Sequence, residues 1–239
     1  MKADIWAVIP VKETAAAKER LGEALPRHLR PGLALAMLED VLSAVAKTLP
    51  HGSHNGAHNG FLGLAGIAVV TLDPDAQALA QRYGARILTD DARGGHTAAV
   101  KAAARTLAQE GRGGMLQMPG DIPLVGADEI SLLIAMRRAS PSFTIAPSHD
   151  DFGSNAVLVC PPTAVPLTFG DDSFYPHLRA AQACGIKPLI VRQRGIGLDI
   201  DRPEDIRAFA QLRSPTRAQA YLERHGLAER DHEQNGAVA

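Results

Sequence analysis

The sequence predicts one large α/β domain in which helices flank a mostly parallel β-sheet. Fully apolar runs of strand length, of which Ile5 to Val11 is the first, suit central strands that are covered on both faces. Amphipathic stretches alternate with these runs, so the chain begins in the order β, α, β, α, β that is typical of a doubly wound sheet. The 239 residues, 46% of them hydrophobic, are enough to bury one sizeable core.

The first half of the chain alternates strands with helices. Pro10 is expected at the end of the first strand, because a proline inside a central strand would interrupt its hydrogen bonds. The glycine-, histidine- and asparagine-rich run at 51–60 is predicted to be an irregular surface loop rather than a metal site, since it contains neither cysteine nor carboxylate. The predicted elements are strands over 5–11, 67–71 and 85–88 and helices over 31–49, 74–83 and 98–110.

The second half adds a hairpin of two strands, which a polar segment joins. Asp128 is predicted to cap the helix that it begins. The predicted elements are strands over 114–118, 143–146, 156–160, 188–191 and 195–201 and helices over 128–139, 178–184, 202–212 and 216–225. We assign residues 1–213 to the domain, and residues 214–239 to a peripheral helix and a frayed, flexible tail.

Composition and charge restrict the function. The formal net charge of −1 gives no support to a nucleic-acid partner or a membrane-surface partner. Cys160 and Cys184 are too few for a disulfide scaffold and lie in apolar stretches, so we expect both in the core of a protein from a reducing compartment. The N-terminus lacks the apolar stretch of a signal peptide, and no apolar run approaches the roughly 18 residues that span a bilayer. We therefore expect a cytoplasmic protein without a membrane partner.

The run at 118–124 places an aspartate just beyond a predicted strand. The apolar residues 114–118 lead into Pro119 and Gly120, which end the strand, and Asp121 follows. Ligands of open α/β sheets bind beyond the carboxyl ends of the strands, where a carboxylate can hold a divalent cation on a phosphate-bearing substrate. The alternative is an aspartate that caps its own turn.

Two further carboxylates lie in the strictly alternating run at 195–201. As a strand, this run would place Asp199 and Asp201 on one face, where they repel each other unless a cation compensates them. Asp201 is then either the cap of the next helix or, together with Asp121, part of a two-carboxylate site for a divalent metal.

Basic residues follow the first strand. Lys12, Lys18 and Arg20 could neutralise phosphate oxygens at a triphosphate-binding entrance, and the alternative is a solvated, alanine-rich turn with ordinary surface cations. Further along, Gly95 and Thr97 precede a helix, so this segment is either a contact for a base or phosphate or a plain loop. Its spacing matches neither a Walker loop nor a Rossmann fingerprint.

Two polar segments of the second half are suited to binding an anion. Hydroxyl, amide and backbone N–H groups are what a carboxylate or phosphate oxygen needs for hydrogen bonds. The groups of the first segment are Asp151, Gly153, Ser154 and Asn155. In the second segment, Ser173 and His177 are four residues apart and share one side if the turn is helical, although a serine cap and a surface histidine would give the same pattern.

Six motifs in the chain, taken in order, resemble one family. They are Ala7–Lys12, Ala17–Leu21, Met118–Leu124, Asp151–Asn155, Phe169–His177 and Gly197–Asp205. The family is the phospholactate and phosphoenolpyruvate guanylyltransferases, which act in making the deazaflavin coenzyme F-420. The resemblance covers residues 5–212, and the order of the motifs is more specific than any one of them.

This resemblance implies a nucleotidyltransferase with a GT-A-like, Rossmann-like sheet and a small β excursion for the acceptor. GTP would be the donor, Mg²⁺ the metal, and the acceptor a small phosphorylated carboxylic acid, namely phosphoenolpyruvate, 2-phospho-L-lactate or 3-phospho-D-glycerate. The phosphate of the acid would attack the α-phosphorus of GTP, and pyrophosphate would leave. Catalysis would then consist of positioning and charge neutralisation.

The resemblance also implies roles for individual residues. Lys12, Lys18, Arg20 and Asp121 would be catalytic, and Asp121, Asp199 and Asp201 would hold Mg²⁺. The nucleotide site would comprise Pro10, Lys12, Lys18, Gly95, Thr97, Pro119 and Gly120. The acceptor site would comprise Asp151, Gly153, Ser154, Asn155, Ser173 and His177. The chain departs from the usual family residues at Glu19, where serine is usual, and at 95–97, where Gly-Leu-Asn is usual, so the choice of base stays open.

Two other functions stay open at this point. One is nucleotidyl transfer to a different acceptor, such as a sugar phosphate or molybdopterin, and the other is nucleotide binding without turnover. The retained acidic residues disfavour the second function, and the polar acceptor segments disfavour the first. A homodimer, and a hand-off of the product to the next enzyme of the pathway, are further expectations.

Overall fold

The computed structural model describes residues 4–14, 18–50 and 63–227, which form seven strands and eight α-helices. The strands are β1 (Ile5–Pro10), β2 (Gly66–Val70), β3 (Arg86–Leu88), β4 (Gly114–Gln117), β5 (Ser142–Pro147), β6 (Ser154–Cys160) and β7 (Leu189–Ile190). The helices are α1 (Arg30–Ala46), α2 (Pro74–Arg82), α3 (Gly95–Gln109), α4 (Ala127–Met136), α5 (Phe174–Ala183), α6 (Arg194–Gly197), α7 (Pro203–Gln211) and α8 (Arg217–Arg224). The predicted loop at 51–60 and the predicted tail at 228–239 lie outside the described residues.

The seven strands form one sheet in the order β3-β2-β1-β4-β6-β5-β7. Strand β6 runs antiparallel to both of its neighbours, and the other pairings are parallel. Because successive side chains of a strand point to opposite faces, Ile9 packs into the core with α1 and Val8 into the core with α3. The predicted helix-flanked, mostly parallel sheet is confirmed, and so is the hairpin of β5 and β6.

The order of connections reverses between β1 and β4. Strand β1 pairs with β2 on one side and with β4 on the other, where Val8 lies opposite Gln117. The Met118 N–H donates to the Val8 carbonyl at 3.1 Å, so the chain segments after both strands leave the sheet side by side. Pro10 is the last residue of β1, as predicted. Open α/β sheets bind their ligands at such a switch point.

The run at 195–201 is not a strand, contrary to its alternating pattern. Helix α6 occupies its first part, and the remainder has no regular structure. The Asn155 amide donates to the carbonyls of Ile196 at 2.9 Å and Gly197 at 3.3 Å, which takes up acceptors that a neighbouring strand would use. A Cβ on Gly195 would lie only 2.3 Å from the Leu124 carbonyl, so the backbone packs closely there. Long-range contacts therefore override the local pattern.

Two local predictions also need correction. The N-cap residue of α4 is Gly126, not the predicted Asp128. The Glu129 carboxylate accepts from the Gly126 N–H at 3.1 Å. Cys160 is buried as predicted, whereas Cys184 is exposed.

Helix α8 packs against α1 and contributes to the core. The Asp40 carboxylate of α1 accepts from the N–H groups of Arg217 and Ala218, both at 2.9 Å. Ala218 and Leu222 are fully buried. The division of the chain at residue 213 stays a prediction. Among the described helices, none combines the length and the apolar character that crossing a membrane requires.

Candidate active site

A cavity of about 920 Å³ opens beyond the carboxyl ends of β1 and β4, at the switch point of the sheet. Most of the predicted site residues line it: Pro10, Lys12, Lys18, Arg20, Thr97, Pro119, Gly120, Asp121, Gly153, Ser154, Asn155, Ser173, Asp199 and Asp201. Gly95 lines a small neighbouring cleft instead, and Asp151 and His177 do not line the cavity. Segments that are far apart in sequence therefore meet in one place.

Lys18 holds two carboxylates together on the charged side of this cavity. Its Nζ donates to Asp121 Oδ2 at 2.5 Å and to Asp201 Oδ1 at 2.7 Å. Burial by itself would lower the pKa of Lys18, but the two carboxylates outweigh burial and raise this pKa above its ordinary value. Lys18 also has a left-handed φ of 61°, which is unfavourable for a residue with a side chain. The two carboxylates thus converge on a position for a cation, which the ammonium group occupies.

Asp199 adds a third carboxyl group beside this pair. Burial and then the charge of Asp121 raise the pKa of Asp199 to about 6, and the Asn155 amide donates to its Oδ1 at 3.0 Å. Burial acts in the same direction on Asp201, but Lys18 outweighs it and lowers the pKa of Asp201 below its ordinary value. The two aspartates therefore differ in their affinity for protons because only one of them is paired with the ammonium group.

Neither Asp121 nor Asp201 serves as a cap, the local role that the sequence left open. The Asp121 carboxylate binds Lys18. At the start of α7, Asp205 Oδ2 accepts from the N–H groups of Asp201 at 3.0 Å and Arg202 at 2.7 Å, so Asp205 satisfies these donors. Both aspartate side chains are left to line the cavity.

The two carboxylates can be tested against the ligands that a divalent metal requires. Within the described part of the chain, no group of three or more His, Cys, Asp and Glu side chains is arranged to hold a metal ion. Mg²⁺ keeps several waters and is bound by one or two carboxylates together with substrate phosphates. Asp121 and Asp201, which already share one cation, offer this type of site.

The other two predicted cations lie at the cavity mouth. Lys12 is exposed. Arg20 donates to Asp171 through two hydrogen bonds of 2.9 and 3.1 Å, and both side chains are exposed. An exposed ion pair contributes at most about 1 kcal/mol, so this pair can open at little cost. Asp171 was missed in the sequence, where nothing distinguishes it from an ordinary surface acid.

Thr97 connects the start of α3 to the segment that precedes α5. Its Oγ1 accepts from the Phe169 N–H at 2.9 Å and donates to the Phe169 carbonyl at 3.2 Å. The hydroxyl has a single proton, which is thereby committed to the protein. In this arrangement the Thr97 hydroxyl has no proton left for a nucleotide, so the predicted nucleotide contact of Thr97 stays a prediction.

The half-buried His96, which lines the cavity, and the buried Gln117 form a polar pair that sequence reasoning missed. The Gln117 Nε2 lies 3.1 Å from His96 Nε2, and the buried Gln117 Oε1 has no hydrogen-bond partner within the described residues. Burial lowers the pKa of His96 to about 4, so its ring is neutral at physiological pH. The ring also packs on Phe169, with 4.6 Å between centroids. The one signal in the sequence was a glutamine within the otherwise apolar run at 114–118.

His177 lies behind the cavity wall and supports Ser154. Its side chain is buried, Nδ1 lies 2.9 Å from Ser154 Oγ, and Nε2 accepts from the Thr168 N–H at 3.0 Å. Ser173 Oγ donates to the same Ser154 Oγ at 3.1 Å. His177 therefore lies behind the cavity rather than in its lining, and it is not the surface histidine of the alternative, because both ring nitrogens are used inside the protein. Ser154 and Ser173 do reach the cavity.

The loop between β5 and β6 is organised by Ser148, which sequence reasoning also missed. Its Oγ accepts from the Gly153 N–H at 2.7 Å and donates to Asp150 Oδ1 at 2.5 Å. A Cβ on Gly153 would lie 3.0 Å from that oxygen, so glycine permits the close approach. Asp151 pairs with Arg192 at 2.9 Å and does not line the cavity, so the structure does not bring its side chain to the other predicted acceptor residues.

Sequence comparison finds relatives over most of the chain. A family model described as "Guanylyl transferase CofC like" matches residues 61–236. A phosphoenolpyruvate guanylyltransferase from Rubrobacter xylanophilus is 35% identical over 202 residues, which cover 84% of this chain and 91% of the relative. A 3-phospho-D-glycerate guanylyltransferase from Colwellia psychrerythraea is 33% identical over 208 residues, which cover 87% of this chain and 92% of the relative.

Solved structures share the fold at low sequence identity. A protein from Desulfovibrio desulfuricans, proposed to be a nucleotide-diphospho-sugar transferase, superposes with a TM-score of 0.71 at 16% identity and covers 95% of this chain and 97% of its own. A nucleotidyl transfer enzyme from Methanothermobacter gives a TM-score of 0.59 at 16% identity, with 92% and 98% covered. At such identities the likeness shows the fold alone.

Proposed function

The chain belongs to the CofC-like guanylyl transferase family, as its six motifs predicted, and on this basis we propose that it transfers GMP from GTP to the phosphate of a small phosphorylated carboxylic acid. Family membership makes the chain a nucleotidyltransferase. The observation that carries the proposal is a single cavity with two kinds of wall. One carries the cation position of Lys18, Asp121 and Asp201, and the other carries the neutral hydroxyl groups of Ser154 and Ser173.

The proposed reaction needs no side-chain nucleophile. A phosphate oxygen of the acid attacks the α-phosphorus of GTP, the bond from that phosphorus to the bridging oxygen breaks, and pyrophosphate leaves with the electron pair. The attacking oxygen is already anionic, so no base has to remove a proton. Catalysis then depends on alignment and on neutralising the phosphate charges, to which Lys12 and Arg20 contribute at the cavity mouth. The nucleotide contacts proposed for the remaining residues involve Pro10, Gly95, Pro119 and Gly120.

The proposed cation is Mg²⁺, held by Asp121 and Asp201 with Asp199 beside them. When bound, it would neutralise phosphate oxygens and orient the triphosphate. Lys18 already balances the first two carboxylates, so its ammonium group competes with the metal for them. Once released, the same ammonium is available to the charge that develops on the leaving pyrophosphate.

Phosphoenolpyruvate is the first candidate for the acceptor, because a relative named for that acid is 35% identical over 84% of this chain. 3-Phospho-D-glycerate follows on the same ground, and 2-phospho-L-lactate is the third candidate. We place the reaction in the cytoplasm and in coenzyme F-420 biosynthesis. A homodimer and transfer of the product to the next enzyme of the pathway are accompanying proposals.

The test is pyrophosphate release from GTP and Mg²⁺ in the presence of each of the three acids in parallel. Asp121→Asn removes a carboxylate charge from the cation position, and Asp75→Asn removes an exposed one from the first turn of α2, away from the cavity lining, as a matched control. We expect release with at least one acid, retained in the Asp75 variant and lost in the Asp121 variant. Release with a sugar phosphate but with none of the acids would contradict the acceptor assignment. A chain that binds GTP and releases pyrophosphate with no acceptor would contradict the proposed reaction.

A further inference from the structure

We propose that His177 is a positioning residue which makes the Ser154 hydroxyl a hydrogen-bond donor aimed at an anionic oxygen of the acceptor acid. The proposal deepens the function proposed above and rests on it. His177 itself touches no substrate, since its side chain is 1% exposed. Its hydrogen bond determines whether the Ser154 hydroxyl acts as a donor or as an acceptor toward the cavity.

The tautomer of His177 follows from its backbone partner. The Thr168 N–H can only donate, and it points at His177 Nε2 at 3.0 Å, so this nitrogen must be the unprotonated one. The proton of the neutral ring then lies on Nδ1, which donates to Ser154 Oγ at 2.9 Å. Burial lowers the pKa of His177 to about 4, which keeps the ring neutral and this tautomer in place at physiological pH.

Ser154 Oγ receives a second hydrogen bond from Ser173 Oγ at 3.1 Å. A hydroxyl oxygen has two lone pairs and one proton, and here both lone pairs are occupied by donors. The proton of Ser154 is therefore left to donate, and Ser154 lies on the cavity wall. A serine hydroxyl that could otherwise either donate or accept is restricted to one of these two functions.

This restriction selects a class of ligand group. A carboxylate or phosphate oxygen accepts the Ser154 proton, whereas a substrate hydroxyl that needs an acceptor at this point finds none. The ring of His177 packs against two aromatic neighbours, with centroid distances of 4.8 Å to Phe169 and 6.5 Å to Phe143. The neutral wall thus discriminates by hydrogen-bond direction rather than by charge.

Three variants and a matched control test the proposal by steady-state kinetics. His177→Phe keeps the ring volume and removes both nitrogens, and His177→Asn retains an amide N–H near the position of Nδ1. Ser154→Ala removes the hydroxyl, and Phe209→Leu disturbs a fully buried ring in a separate core as the control for general destabilisation. We expect His177→Phe to raise KM for the acid on the order of tenfold, as for the loss of a hydrogen bond to a charged group. KM for GTP should stay unchanged, and His177→Asn should recover most of the loss.

The double variant separates a positioning role from a structural one. If His177 acts through Ser154, then adding His177→Phe to Ser154→Ala should change KM for the acid by less than about twofold. The proposal would be overturned if the double variant raised KM for the acid by the product of the two single effects. It would also be overturned if His177→Phe and the Phe209→Leu control had the same KM for the acid.

Nitrogen NMR of the wild-type chain labelled in histidine keeps the proposal testable if the phenylalanine variant does not fold. We expect His177 to carry its proton on Nδ1 alone, and a proton on Nε2 would overturn the proposal. Failure of the proposed function can be told apart from failure of this inference. In the first case the wild-type chain would release no pyrophosphate with any acid. The NMR measurement would still decide the direction of the hydrogen bond between His177 and Ser154.

Discussion

The two walls of the cavity are held in place by different interactions. On the charged wall, Lys18, Asp121 and Asp201 hold one another by opposite charge, and all three side chains line the cavity. On the neutral wall, Ser154 is held by His177, a partner that lies behind the cavity wall. Under the proposed function we therefore expect the charged wall to exchange its partners for metal and phosphate, and the neutral wall to keep its contacts.

The largest effect should come from the charged wall. Asp121→Asn keeps the shape of the side chain but leaves Lys18 balanced by Asp201 alone. We expect kcat to fall by about 10²–10³-fold, because a charge that acts on the phosphates in the transition state is displaced. Pyrophosphate release measures the loss. An Asp121→Asn variant with kcat near that of Asp75→Asn would show that the charged wall does not take part in the reaction.

Lys18→Met should separate catalysis from metal binding. We expect kcat to fall by about 10²-fold, while Mn²⁺ or Mg²⁺ binding to the substrate-free chain becomes tighter, because no ammonium group competes for the two carboxylates. Calorimetric titration of the free protein measures the second effect. Lys101→Met, at an exposed position of α3, is the control and should leave metal affinity unchanged. Weaker metal binding in Lys18→Met would contradict the idea of a shared cation position.

His177, which supports the neutral wall, should make the free energy of unfolding depend on pH. Burial lowers the folded-state pKa of His177 from 6.5 to about 4. Its contribution is fully present above the unfolded-state pKa and is lost as the pH falls toward the folded-state pKa, because the unfolded chain takes up the proton first. Between pH 7 and pH 5 we expect a loss of about 2 kcal/mol from this residue. Urea unfolding at both pH values should show a smaller decline in His177→Phe than in the wild type, and equal declines would contradict the argument.

Thr97 lines the cavity through its bonds to Phe169 and should affect stability more than nucleotide binding. Thr97→Val keeps the shape but leaves the Phe169 N–H and carbonyl without their partner, which we expect to cost about 1–2 kcal/mol. KM for GTP should change little, because the hydroxyl proton is already committed to Phe169. Thr97→Ser, which restores the hydroxyl, is the control. A large rise in KM for GTP with unchanged stability would assign Thr97 to the nucleotide after all.

The fold followed from local signals because those signals agree with the long-range structure. For the apolar strands, the proline at the end of β1 and the position of Asp121 beyond β4, the local sequence pattern and the long-range contacts favour the same structure. The run at 195–201 differs, because its alternating pattern predicts a strand while the carbonyls of Ile196 and Gly197 accept from the Asn155 amide and the run begins as a short helix.

Most of the predicted site residues do line one cavity, but their contacts could not be predicted. Lys18 meets Asp121 and Asp201 across 103 and 183 positions of sequence, and no spacing rule connects residues so far apart. The inward orientation of His177 depends on the Thr168 backbone, whose N–H carries no sequence signature. The roles proposed for these residues in the reaction stay predictions.

The order of the strands has a consequence for how the protein behaves at high concentration. The two outer strands of the sheet are β3, with three residues, and β7, with two. So few unpaired backbone groups offer little template for another chain to extend the sheet, which is a common route to aggregation. Any self-association of the described part of the chain is therefore expected to use side-chain surfaces of the helices and loops, where it can be removed by surface substitutions that leave the sheet intact.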